Sequence, residues 1–421
     1  MHYFHPTPEH IVDNIVKKHA PRKYDSVLDP SIGDGALING IRTKNKHVTC
    51  VDIDITRLEQ SKRLLQCDNI KLIHGNFLDT DFGIEKFDFI VCNPPFDGRN
   101  QILCSKKKIP IEASFLNKCM ELCSKKGRMI FILPSSVTRG SRLKWFRIYI
   151  LDKFNLSYSY KLPKFTFNKI EGDFSVLVFD RKLKVSKTIL RSNNTEITTR
   201  DIKKLSNICS FDADELIALK NYNELLHANG LEIESFSQLV DLQRGDVKEG
   251  YKQNNVLHTT NCDNNFEIEN ELQPDGHKLV RKGDWIIKRV SRNLGDSLKE
   301  YKGGDSKFTD CILRLRAFDN SNSYEVFFCL SVLFQLDDFK ELIIKGSGAK
   351  YLDVLSLKKI GVPLGVAKAF KTQLNKFKKG TDSERISIAR QVAFKFKNAK
   401  NLKLNGATVA PSEVYDTDVA I

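Results

Sequence analysis

The four residues Asn93, Pro94, Pro95 and Phe96 form a short segment directly after the apolar run FDFIVC (87–92). Each proline fixes its own φ angle and lacks an N–H donor, so the segment predicts a stiff turn that presents hydrogen-bond acceptors. The side chain of Asn93 adds a carbonyl oxygen, and the ring of Phe96 adds a flat apolar face. Two such acceptors can bind both hydrogens of an exocyclic NH₂ group. The turn therefore predicts a site for a planar substrate that carries an amino group.

A glycine-containing loop, DPSIGDG (29–35), follows the first predicted strand. Gly33 and Gly35 allow a tight turn and a close approach of the backbone to a ligand, and a predicted helix begins directly after them. The loop lacks the GK[ST] ending that holds a triphosphate. It therefore predicts a ligand site without a triphosphate-binding lysine.

Acidic and amide side chains follow the next two predicted strands. Asp52 and Asp54 lie about 20 residues after the glycines, where an acid can bind both hydroxyls of a ribose. Either carboxylate can instead cap the helix that begins with ITRLEQ. Asn76 and Phe77, after the third strand, could hydrogen-bond and stack an adenine, although Asn76 can also cap a turn. Together these loops predict a site for an adenine nucleoside.

These side chains require a scaffold that brings several strand ends together. The first half of the chain alternates short strands with helices, which predicts an α/β fold with a doubly wound, mostly parallel sheet and helices on both faces. The predicted strands are 26–29, 47–52, 70–75, 87–92, 128–133, 156–162 and 174–179, and the predicted helices are 10–19, 36–42, 55–66, 112–124 and 141–152. Ligands bind such sheets beyond the carboxyl ends of the strands, so the loops after Leu28, Val51, His74 and Cys92 should meet there.

Length and composition narrow the class of protein. The 421 residues, 41% of them hydrophobic, are sufficient for two domains with ordinary cores. Ten cysteines without a CxxC pair predict reduced thiols and neither disulfides nor a metal site. The sequence contains no stretch with the length of a membrane helix, and its first residues do not resemble a signal peptide. We therefore expect a cytoplasmic protein with no membrane partner.

The positive charge is concentrated in two blocks. The net charge is +15, and residues 101–200 contain 21 Lys and Arg against 7 Asp and Glu, while residues 351–400 contain 12 against 3. Residues 201–250 are acidic, with 5 basic against 10 acidic residues. Two basic blocks favour a polyanionic partner, and nucleic acid is the leading candidate.

The order of these motifs resembles the gamma class of N6-adenine DNA methyltransferases, which use S-adenosylmethionine. The resemblance rests on TPEHIVDNIV (7–16), followed by DPSIGDG, VDID, GNFLD and NPPF. It implies a Rossmann-like methyltransferase sheet and transfer of a methyl group to adenine N6 in double-stranded DNA. It further implies that the protein is the modification enzyme of a restriction-modification system.

The resemblance also assigns cofactor contacts. The residues that it implies for S-adenosylmethionine are Thr7, Asp29, Pro30, Gly33, Gly35, Asp52, Asn76, Phe77 and Asn93. Asp52 binds the ribose in this assignment, with Asp54 as the alternative register. Asn76 stands where the family has an aspartate, so this position can accept a hydrogen bond from the adenine but carries no charge.

The resemblance implies catalysis without a general base or a covalent intermediate. The side chain of Asn93 and the carbonyl of Pro94 bind both amino hydrogens, which localises the lone pair on N6. The target base is flipped out of the duplex and stacks on Phe96, where the family most often has tyrosine. A second aromatic residue is expected in KLPKFTFNKIEGDFSVLVF (161–179), and the spacing favours Phe167 over Phe165.

The remainder of the chain is predicted to recognise DNA. Residues 1–225 form the catalytic domain, including a connector from about residue 180, and residues 226–421 resemble one half of a type I restriction specificity subunit. That half is an α+β target-recognition domain that ends in an amphipathic helix. The candidate DNA contacts are Lys106, Lys107, Lys108, Arg244, Lys248, Lys345, Ser347 and Lys350.

Three alternatives remain at this stage. Turns of the NPP-aromatic type also occur in methyltransferases that act on an RNA base or on protein glutamine. A catalytically silent binding module would require a damaged NPPF site, and that site is intact. A cognate restriction endonuclease is an expected separate partner that could act on the same DNA site. A loose nuclease signature, Pro274-Asp275 followed by Glu300-Tyr301-Lys302, raises the weaker alternative that this chain also cuts DNA.

Overall fold

The computed structural model describes residues 6–41, 46–65, 69–96, 101–104, 107–167, 172–181, 187–193, 195–199, 210–228, 231–248, 256–262, 278–291, 293–346 and 350–398. The chain divides into two compact units, Met1–Ile217 and Ala218–Ile421. The division falls inside a helix, Ala213–Ala228. The boundary proposed from the sequence, between residues 225 and 226, lies in the same helix.

The first unit is built on a nine-stranded sheet. Its strands are β1 (Ser26–Asp29), β2 (His47–Asp52), β3 (Ile70–His74), β4 (Phe87–Cys92), β5 (Gln101–Cys104), β6 (Lys107–Pro110), β7 (Cys123–Pro134), β8 (Phe154–Lys161), β9 (Phe174–Arg181), β10 (Thr188–Ser192) and β11 (Thr195–Thr199). All except β5 and β6 belong to the sheet, in the order β3-β2-β1-β4-β7-β9-β8-β10-β11. β9 runs antiparallel to β7 and β8, β11 runs antiparallel to β10, and the other neighbours are parallel. The predicted doubly wound, mostly parallel α/β sheet is confirmed.

Helices connect these strands. They are α1 (Glu9–Ile11), α2 (Lys17–His19), α3 (Ala36–Asn39), α4 (Ile55–Leu64), α5 (Ile111–Leu122), α6 (Ser135–Thr138), α7 (Lys144–Lys153) and α8 (Ala213–Ala228). A π-helical turn, Val12–Val16, joins α1 to α2. The predicted strands 26–29, 47–52 and 87–92 have the predicted bounds, and the other predicted strands and helices differ at their ends by a few residues.

Neighbouring residues of the central strands pack into two different cores. Successive side chains of a strand point to opposite faces of the sheet, so a strand buried on both faces is apolar throughout. The pairs that divide in this way are Val27 and Leu28, Cys50 and Val51, Phe89 and Ile90, and Ile130 and Phe131. One core includes Ile11 and Leu37 from the N-terminal helices, and the other includes Phe115 of α5 and Phe146 of α7. Helices therefore cover both faces of the sheet.

The strand order reverses between β1 and β4. From β1 the chain runs outward through β2 and β3 and then returns to β4 on the other side of β1. The carboxyl ends of β1 and β4 therefore flank the crevice in which doubly wound sheets bind ligands. The four polar loops identified in the sequence lie at this edge.

The described residues of the connector predicted from about residue 180 include two strands and the start of a helix. Strands β10 and β11 extend the sheet beyond β8, and α8 begins at Ala213. Lys161 Nζ, at the end of β8, lies 2.8 Å from Asp212 Oδ2, and both side chains are buried. This ion pair fixes the residues that lead into α8 against the sheet.

The second unit combines small sheets with helices. Its strands are β12 (Ile233–Ser235), β13 (Val240–Arg244), β14 (Val256–Leu257), β15 (Leu279–Val280), β16 (Trp285–Lys288), β17 (Lys299–Glu300), β18 (Ser306–Phe308), β19 (Ile312–Ala317), β20 (Ile344–Lys345), β21 (Tyr351–Leu352) and β22 (Gly361–Pro363). Its helices are α9 (Phe236–Leu239), α10 (Ser323–Leu333), α11 (Asp337–Ile343), α12 (Val354–Lys358), α13 (Gly365–Ala369), α14 (Lys371–Lys379) and α15 (Asp382–Asn398), with 3-10 turns at Gly295–Ser297 and Asn320–Asn322. Among the described residues of both units, none of the helices combines the length and apolar character needed to cross a membrane.

The last helix of the second unit packs on its own domain. The ring of Trp285 stacks against Phe327 and Phe377, with centroid distances of 4.6 and 5.9 Å. The buried guanidinium of Arg385, from α15, lies 5.4 Å from the Trp285 ring and donates a 3.0 Å hydrogen bond to Glu300. The amphipathic pattern that the sequence shows in this helix is therefore satisfied within the domain.

Candidate active site

The glycine loop is held between the ends of β1 and β2. Gly33 and Gly35 have φ angles of +56° and +81°, a region that favours glycine. The N–H of Gly33 donates a 2.9 Å hydrogen bond to Asp52 Oδ2, and Ser61 Oγ donates a 2.7 Å bond to the Gly33 carbonyl. These contacts fix a loop whose backbone can approach a ligand closely.

The structure distinguishes the two acidic residues after β2. Asp52 is the last residue of the strand, and its Oδ1 accepts a 2.9 Å hydrogen bond from the N–H of Asp54. Asp54 is the N-cap of α4, where it accepts from the N–H of Thr56 and forms an ion pair with Arg57. The capping role considered for these carboxylates therefore applies to Asp54. Asp52 is the acid that contacts the glycine loop.

Asp29, at the end of β1, is a fully buried carboxyl group. Its Oδ1 accepts a 3.1 Å hydrogen bond from the N–H of Ser31, while Oδ2 has no hydrogen-bond partner among the described residues. Burial raises the pKa of Asp29 to about 8, and the carboxylates of Asp52 and Asp34 act in the same direction. The group is therefore poised to gain a polar or cationic partner.

The N-terminal segment and the polar turn after β4 meet directly. Asn93 Nδ2 donates a 3.0 Å hydrogen bond to Thr7 Oγ1, across 86 positions of the sequence. The backbone carbonyl of Asn93 accepts a 3.0 Å bond from Ser31 Oγ, which lies in the glycine loop. Because the amide is planar, donation through Nδ2 to Thr7 directs Oδ1 to the opposite side. Pro94 is buried, and Pro95 is half-buried beside it.

Three phenylalanine rings form a cluster at the turn. The ring centroid of Phe96 lies 4.8 Å from that of Phe174 and 6.2 Å from that of Phe167. Phe167 is only 3% exposed, whereas Phe165 is 73% exposed and has a φ angle of +61°. Such a φ angle is rare for a bulky residue. Phe167 thus supports the Phe96 ring from within the core, and Phe165 carries the ring that is open to solvent.

The loop after β3 is organised around Asn76. Its Oδ1 accepts a 3.1 Å hydrogen bond from the N–H of Leu78, and its Nδ2 donates a 2.6 Å bond to Asp79 Oδ2. The turn-capping alternative for Asn76 is thus present in the structure. The Phe77 ring is only 2% exposed and packs against Phe115, so the structure as it stands does not open it to a ligand.

A lysine that the sequence did not single out holds this loop in place. Lys118 Nζ, from α5, donates hydrogen bonds to the carbonyls of Phe77, Leu78 and Thr80 at 2.7, 3.0 and 2.6 Å. Burial lowers the pKa of Lys118, and nearby acidic groups, Asp79 first among them, oppose this effect. The side chain of Lys118 therefore fixes the backbone of this loop.

Two of the basic residues proposed as DNA contacts lie on a hairpin formed by β5 and β6. Lys107 and Lys108 are exposed on β6, and Lys107 Nζ lies 4.9 Å from the centroid of the Trp145 ring. Lys106 lies outside the described residues. Both described lysines are available to a ligand, and Trp145 orients the first of them.

Two of the cations proposed in the second unit are exposed. Lys248 is exposed without a described ion pair, and Arg244 forms an ion pair with Asp310 while keeping about half of its side chain exposed, at 49%. Both residues can reach a polyanion from the surface. Their role as DNA contacts stays a prediction.

The burial of Lys345 argues against its proposed contact with DNA. Its side chain is only 3% exposed, and its ammonium donates to the carbonyl of Glu341. A lysine in β20 with this burial cannot offer its charge to phosphates at the surface. Lys350 is half-buried, and Ser347 lies outside the described residues.

Glu300, the acidic residue of the nuclease-like signature, forms hydrogen bonds with side chains of its own domain. The carboxylate of Glu300 accepts a 3.0 Å hydrogen bond from Arg385 and another from the Tyr324 hydroxyl. Pro274 and Asp275 lie outside the described residues. Glu300 thus stabilises the packing of α15 on the domain, which favours the structural explanation of the motif.

Several residues of the site were not identified from the sequence. Ser31 and Ser61 tie the glycine loop to its neighbours, and Phe174 completes the aromatic cluster. Ser31 lies within the DPSIGDG motif (29–35), so the sequence could have indicated its place in the site. Ser61 and Phe174 are ordinary residues of a helix and a strand, and only their three-dimensional contacts reveal them.

Comparisons with known proteins agree with this geometry. Residues 34–166 match the family described as Eco57I restriction-modification methylase. A type II methyltransferase, M.AccI from Acinetobacter calcoaceticus, is 22% identical over 45% of this chain and 37% of its own length. The methylase subunit of the type I restriction enzyme EcoEI from Escherichia coli is 26% identical over 44% of this chain and 43% of its own length. The resemblance of the first unit to restriction-modification methyltransferases is confirmed.

A relative with a different substrate also matches the first unit. The tRNA1(Val) (adenine(37)-N6)-methyltransferase of Vibrio campbellii is 28% identical over 28% of this chain and 54% of its own length. The chain thus spans about half or less of the length of these curated relatives.

Proposed function

We propose that this protein is a site-specific DNA methyltransferase that transfers a methyl group from S-adenosylmethionine to adenine N6. The observation that carries this proposal is the turn of Asn93, Pro94, Pro95 and Phe96 at the carboxyl end of β4, anchored by Thr7. The turn lies where the sheet order reverses, which is the ligand-binding position of this fold. The matches to restriction-modification methylases support DNA as the substrate.

The residues around the glycine loop fit S-adenosylmethionine. Gly33 and Gly35 adopt positive φ angles that favour glycine in a tight loop at this strand edge, and the buried Oδ2 of Asp29 has no partner among the described residues. We assign the methionine part of the cofactor to Thr7, Asp29, Pro30 and the two glycines. The other proposed contacts are Asp52 for the ribose and the loop of Asn76 for the adenine, whereas Phe77, whose ring is buried against Phe115, is no longer assigned a stacking contact. When bound, the cofactor supplies an electrophilic methyl group on a sulfonium.

The polar turn would activate the target amino group without removing a proton first. Adenine N6 is a weak nucleophile because its lone pair is shared with the ring. Hydrogen bonds from both amino hydrogens to Asn93 Oδ1 and the Pro94 carbonyl keep that lone pair out of the ring. The Thr7 hydroxyl holds the Asn93 amide in the required orientation. Positioning then supplies most of the rate enhancement.

Access to a base in a duplex requires that the base leaves the stack, at a cost of a few kcal/mol. We assign Phe96 to one face of the everted base, with Phe167 and Phe174 packed behind its ring. Stacking on an aromatic side chain contributes about 1–3 kcal/mol. Phe165, exposed on the neighbouring loop, replaces Phe167 as our candidate for a second contact.

We assign target recognition to residues 226–421, and the cellular role to the modification half of a restriction-modification system. The exposed Arg244 and Lys248 are the candidate DNA contacts that remain best placed in that unit. A cognate endonuclease would be a separate protein. The relatives named as type I and type II methyltransferases support this context.

The proposal is tested by incubating the purified full-length chain with labelled S-adenosylmethionine and plasmid DNA. We expect N6-methyladenine in the nucleoside digest, and long-read sequencing of the product should place it at one sequence motif. Parallel reactions contain total tRNA and a mixture of unfolded proteins. Methylation of DNA at cytosine, or of no DNA at all, would contradict the proposal.

The runner-up is a methyltransferase that acts on an amino group of an RNA base or of protein glutamine. The observation that favours RNA is the match to a tRNA adenine methyltransferase over 28% of this chain. Label that enters tRNA but not plasmid DNA would select this alternative. Label in the protein fraction alone would select a glutamine substrate.

The hydrogen bond between Thr7 and Asn93 gives a prediction about positioning. Thr7→Val keeps the shape of the side chain but removes the acceptor for Asn93 Nδ2, so the amide can rotate. We expect the single-turnover methylation rate to fall about tenfold, since a lost hydrogen bond to a positioned group is worth about 1–1.5 kcal/mol. Thr7→Ser retains the hydroxyl and should keep most of the rate. Equal rates in both variants would contradict the positioning role.

The pair of Asn76 and Asp79 gives a second prediction. Asn76→Asp restores the family residue, yet it places two carboxylates where Nδ2 and Oδ2 are now 2.6 Å apart. Repulsion between exposed charges at about 4 Å costs about 1 kcal/mol, so cofactor affinity should fall about fivefold rather than rise. Isothermal titration calorimetry measures the change. The double variant with Asp79→Asn should recover the affinity, and tighter binding by the single variant would refute this account.

A further inference from the structure

The hairpin of β5 and β6 is a part of the catalytic unit that has no role in the site described above. It follows the catalytic turn after a short segment, and α5 begins directly after it at Ile111. Its two strands pair only with each other, outside the nine-stranded sheet. A two-stranded hairpin of this kind is marginal by itself and must be supported by its neighbours. In the sequence, four residues separate it from the proposed substrate-binding turn.

The two faces of the hairpin differ in character. Ile102 pairs with Ile109, and Leu103 pairs with Lys108, so each pair shares one face. Ile109 is buried against the domain, which fixes the base of the hairpin. Leu103 is 70% exposed, and the cross-strand Lys108 is exposed beside it. One face thus presents a large aliphatic side chain next to a cation.

The charge around Leu103 indicates the kind of partner. The segment from residue 101 to residue 111, QILCSKKKIPI, contains three lysines and no acidic residue. Lys107 is oriented by Trp145, with 4.9 Å between Nζ and the ring centroid. A lone exposed leucine is common on protein surfaces and by itself has no meaning. An exposed leucine paired with the exposed Lys108, on a hairpin that four residues separate from the proposed base-binding turn, is complementary to a nucleic-acid duplex, whose phosphates surround apolar base stacks.

When a base is flipped out of a duplex, a side chain from the hairpin could fill the gap that the base leaves. Removing one base leaves a gap in the stack, and proteins that distort duplexes insert leucine, isoleucine, methionine or phenylalanine between bases. We propose that the hairpin is a second duplex contact of the catalytic unit, in which Leu103 enters the stack beside the everted base and Lys108 contacts the phosphate backbone. The proposal rests on the proposed function, because it requires a duplex substrate whose base is flipped.

The test compares two substrates for each variant of the full-length chain. One oligonucleotide duplex contains the mapped methylation motif with a normal T opposite the target adenine, and the other has an abasic position opposite it. The second duplex lacks the base pair at the target, so insertion of Leu103 should contribute little to flipping the adenine out. We expect Leu103→Ala to lower the single-turnover rate about tenfold on the paired duplex and less than threefold on the abasic duplex. This difference corresponds to about 1 kcal/mol of wedge insertion.

Three further variants make the result specific. Ile84→Ala removes a 99% exposed isoleucine from a different loop of the same unit and should leave both rates unchanged. Lys108→Gln should weaken binding of both duplexes and lower the dependence of log affinity on log salt concentration by about 1. Melting temperatures of all variants verify that each is folded. Leu103→Met, which keeps an aliphatic side chain, should retain the rate on the paired duplex.

The outcomes separate the hairpin from the proposed function. If the unaltered protein methylates neither duplex, the proposed function fails and the hairpin proposal fails with it. If the unaltered protein methylates both duplexes and Leu103→Ala matches Ile84→Ala on the paired duplex, only the hairpin proposal is overturned. Equal losses for Leu103→Ala on both duplexes would also overturn it, since a wedge acts only when the base must be opened.

Discussion

Replacing Asn93 with alanine is expected to abolish methyl transfer, with a single-turnover rate lower by about 1,000-fold. Removing one hydrogen-bonding group that stabilises developing charge in an enzyme site typically costs about 100- to 1,000-fold in rate. We expect a loss at the upper end of this range for Asn93→Ala, because the side chain of Asn93 has two functions in the proposal. Its Oδ1 binds the target amino group, and its Nδ2 joins the turn to Thr7. Both are lost when the side chain is truncated to a methyl group.

Matched variants distinguish this effect from a loss of folding. Asn69→Ala removes an asparagine before β3 that contacts His47 and lies outside the site, so its rate should equal that of the unaltered protein. Asn93→Asp keeps an acceptor and should lose less than the alanine variant. The melting temperature of Asn93→Ala should remain within a few degrees of the original. A folded Asn93→Ala protein with a rate within tenfold of the original would refute the assignment.

The sequence predicted the central sheet well for a physical reason. Strands β1, β2 and β4 are short, their inner residues are buried and mainly apolar, and each strand leads into a polar turn. Their bounds coincide with the predicted ones. The outer strands β10 and β11 contain threonine, arginine and serine in place of an apolar run, and pairing with their neighbours is what makes them strands. That information is not local, so the sequence did not reveal it.

The candidate site was predictable in its members but not in their contacts. The resemblance assigned Thr7 and Asn93 to one site, but it could not show that one donates a hydrogen bond to the other. The spacing that favoured Phe167 over Phe165 ignored burial, and burial reverses the order. Lys345 illustrates the same limit, because a lysine in a basic segment looks exposed until its environment is known. Exposure depends on packing between segments that are distant in sequence.

The second large effect is expected at Asp29, where Asp29→Asn should act in opposite directions on cofactor binding and on stability. In the cofactor-free protein the carboxyl is fully buried, and its Oδ2 has no partner among the described residues, so ionisation is unfavourable there. S-adenosylmethionine contains two positively charged groups, and a carboxylate near them is stabilised. Truncating one member of a buried charge pair costs about 2–5 kcal/mol, so the variant should bind the cofactor about 30-fold more weakly or worse.

The effect on stability depends on pH, and its sign follows from the direction of the pKa shift. Burial raises the pKa of Asp29 from 3.8 to about 8, so between these values the folded protein keeps a proton that the unfolded chain has released. The contribution of this group to stability is therefore fully present below about pH 4 and is lost as the pH rises through about 8. Asparagine has no such proton. The melting temperature of the cofactor-free Asp29→Asn protein should thus decline less than that of the original between about pH 4 and pH 8.

Proton release separates a binding role of Asp29 from a purely structural one. If the bound cofactor favours the carboxylate, binding near pH 7 should release close to one proton from this site. Calorimetric titrations in buffers with different ionisation enthalpies measure that number, which Asp29→Asn should reduce by the same amount. Asp54→Asn, which alters the cap of α4, should leave proton release unchanged. A structural role alone would change the melting temperature but not the proton count, so equal release by Asp29→Asn and the original would exclude Asp29 from the cofactor site.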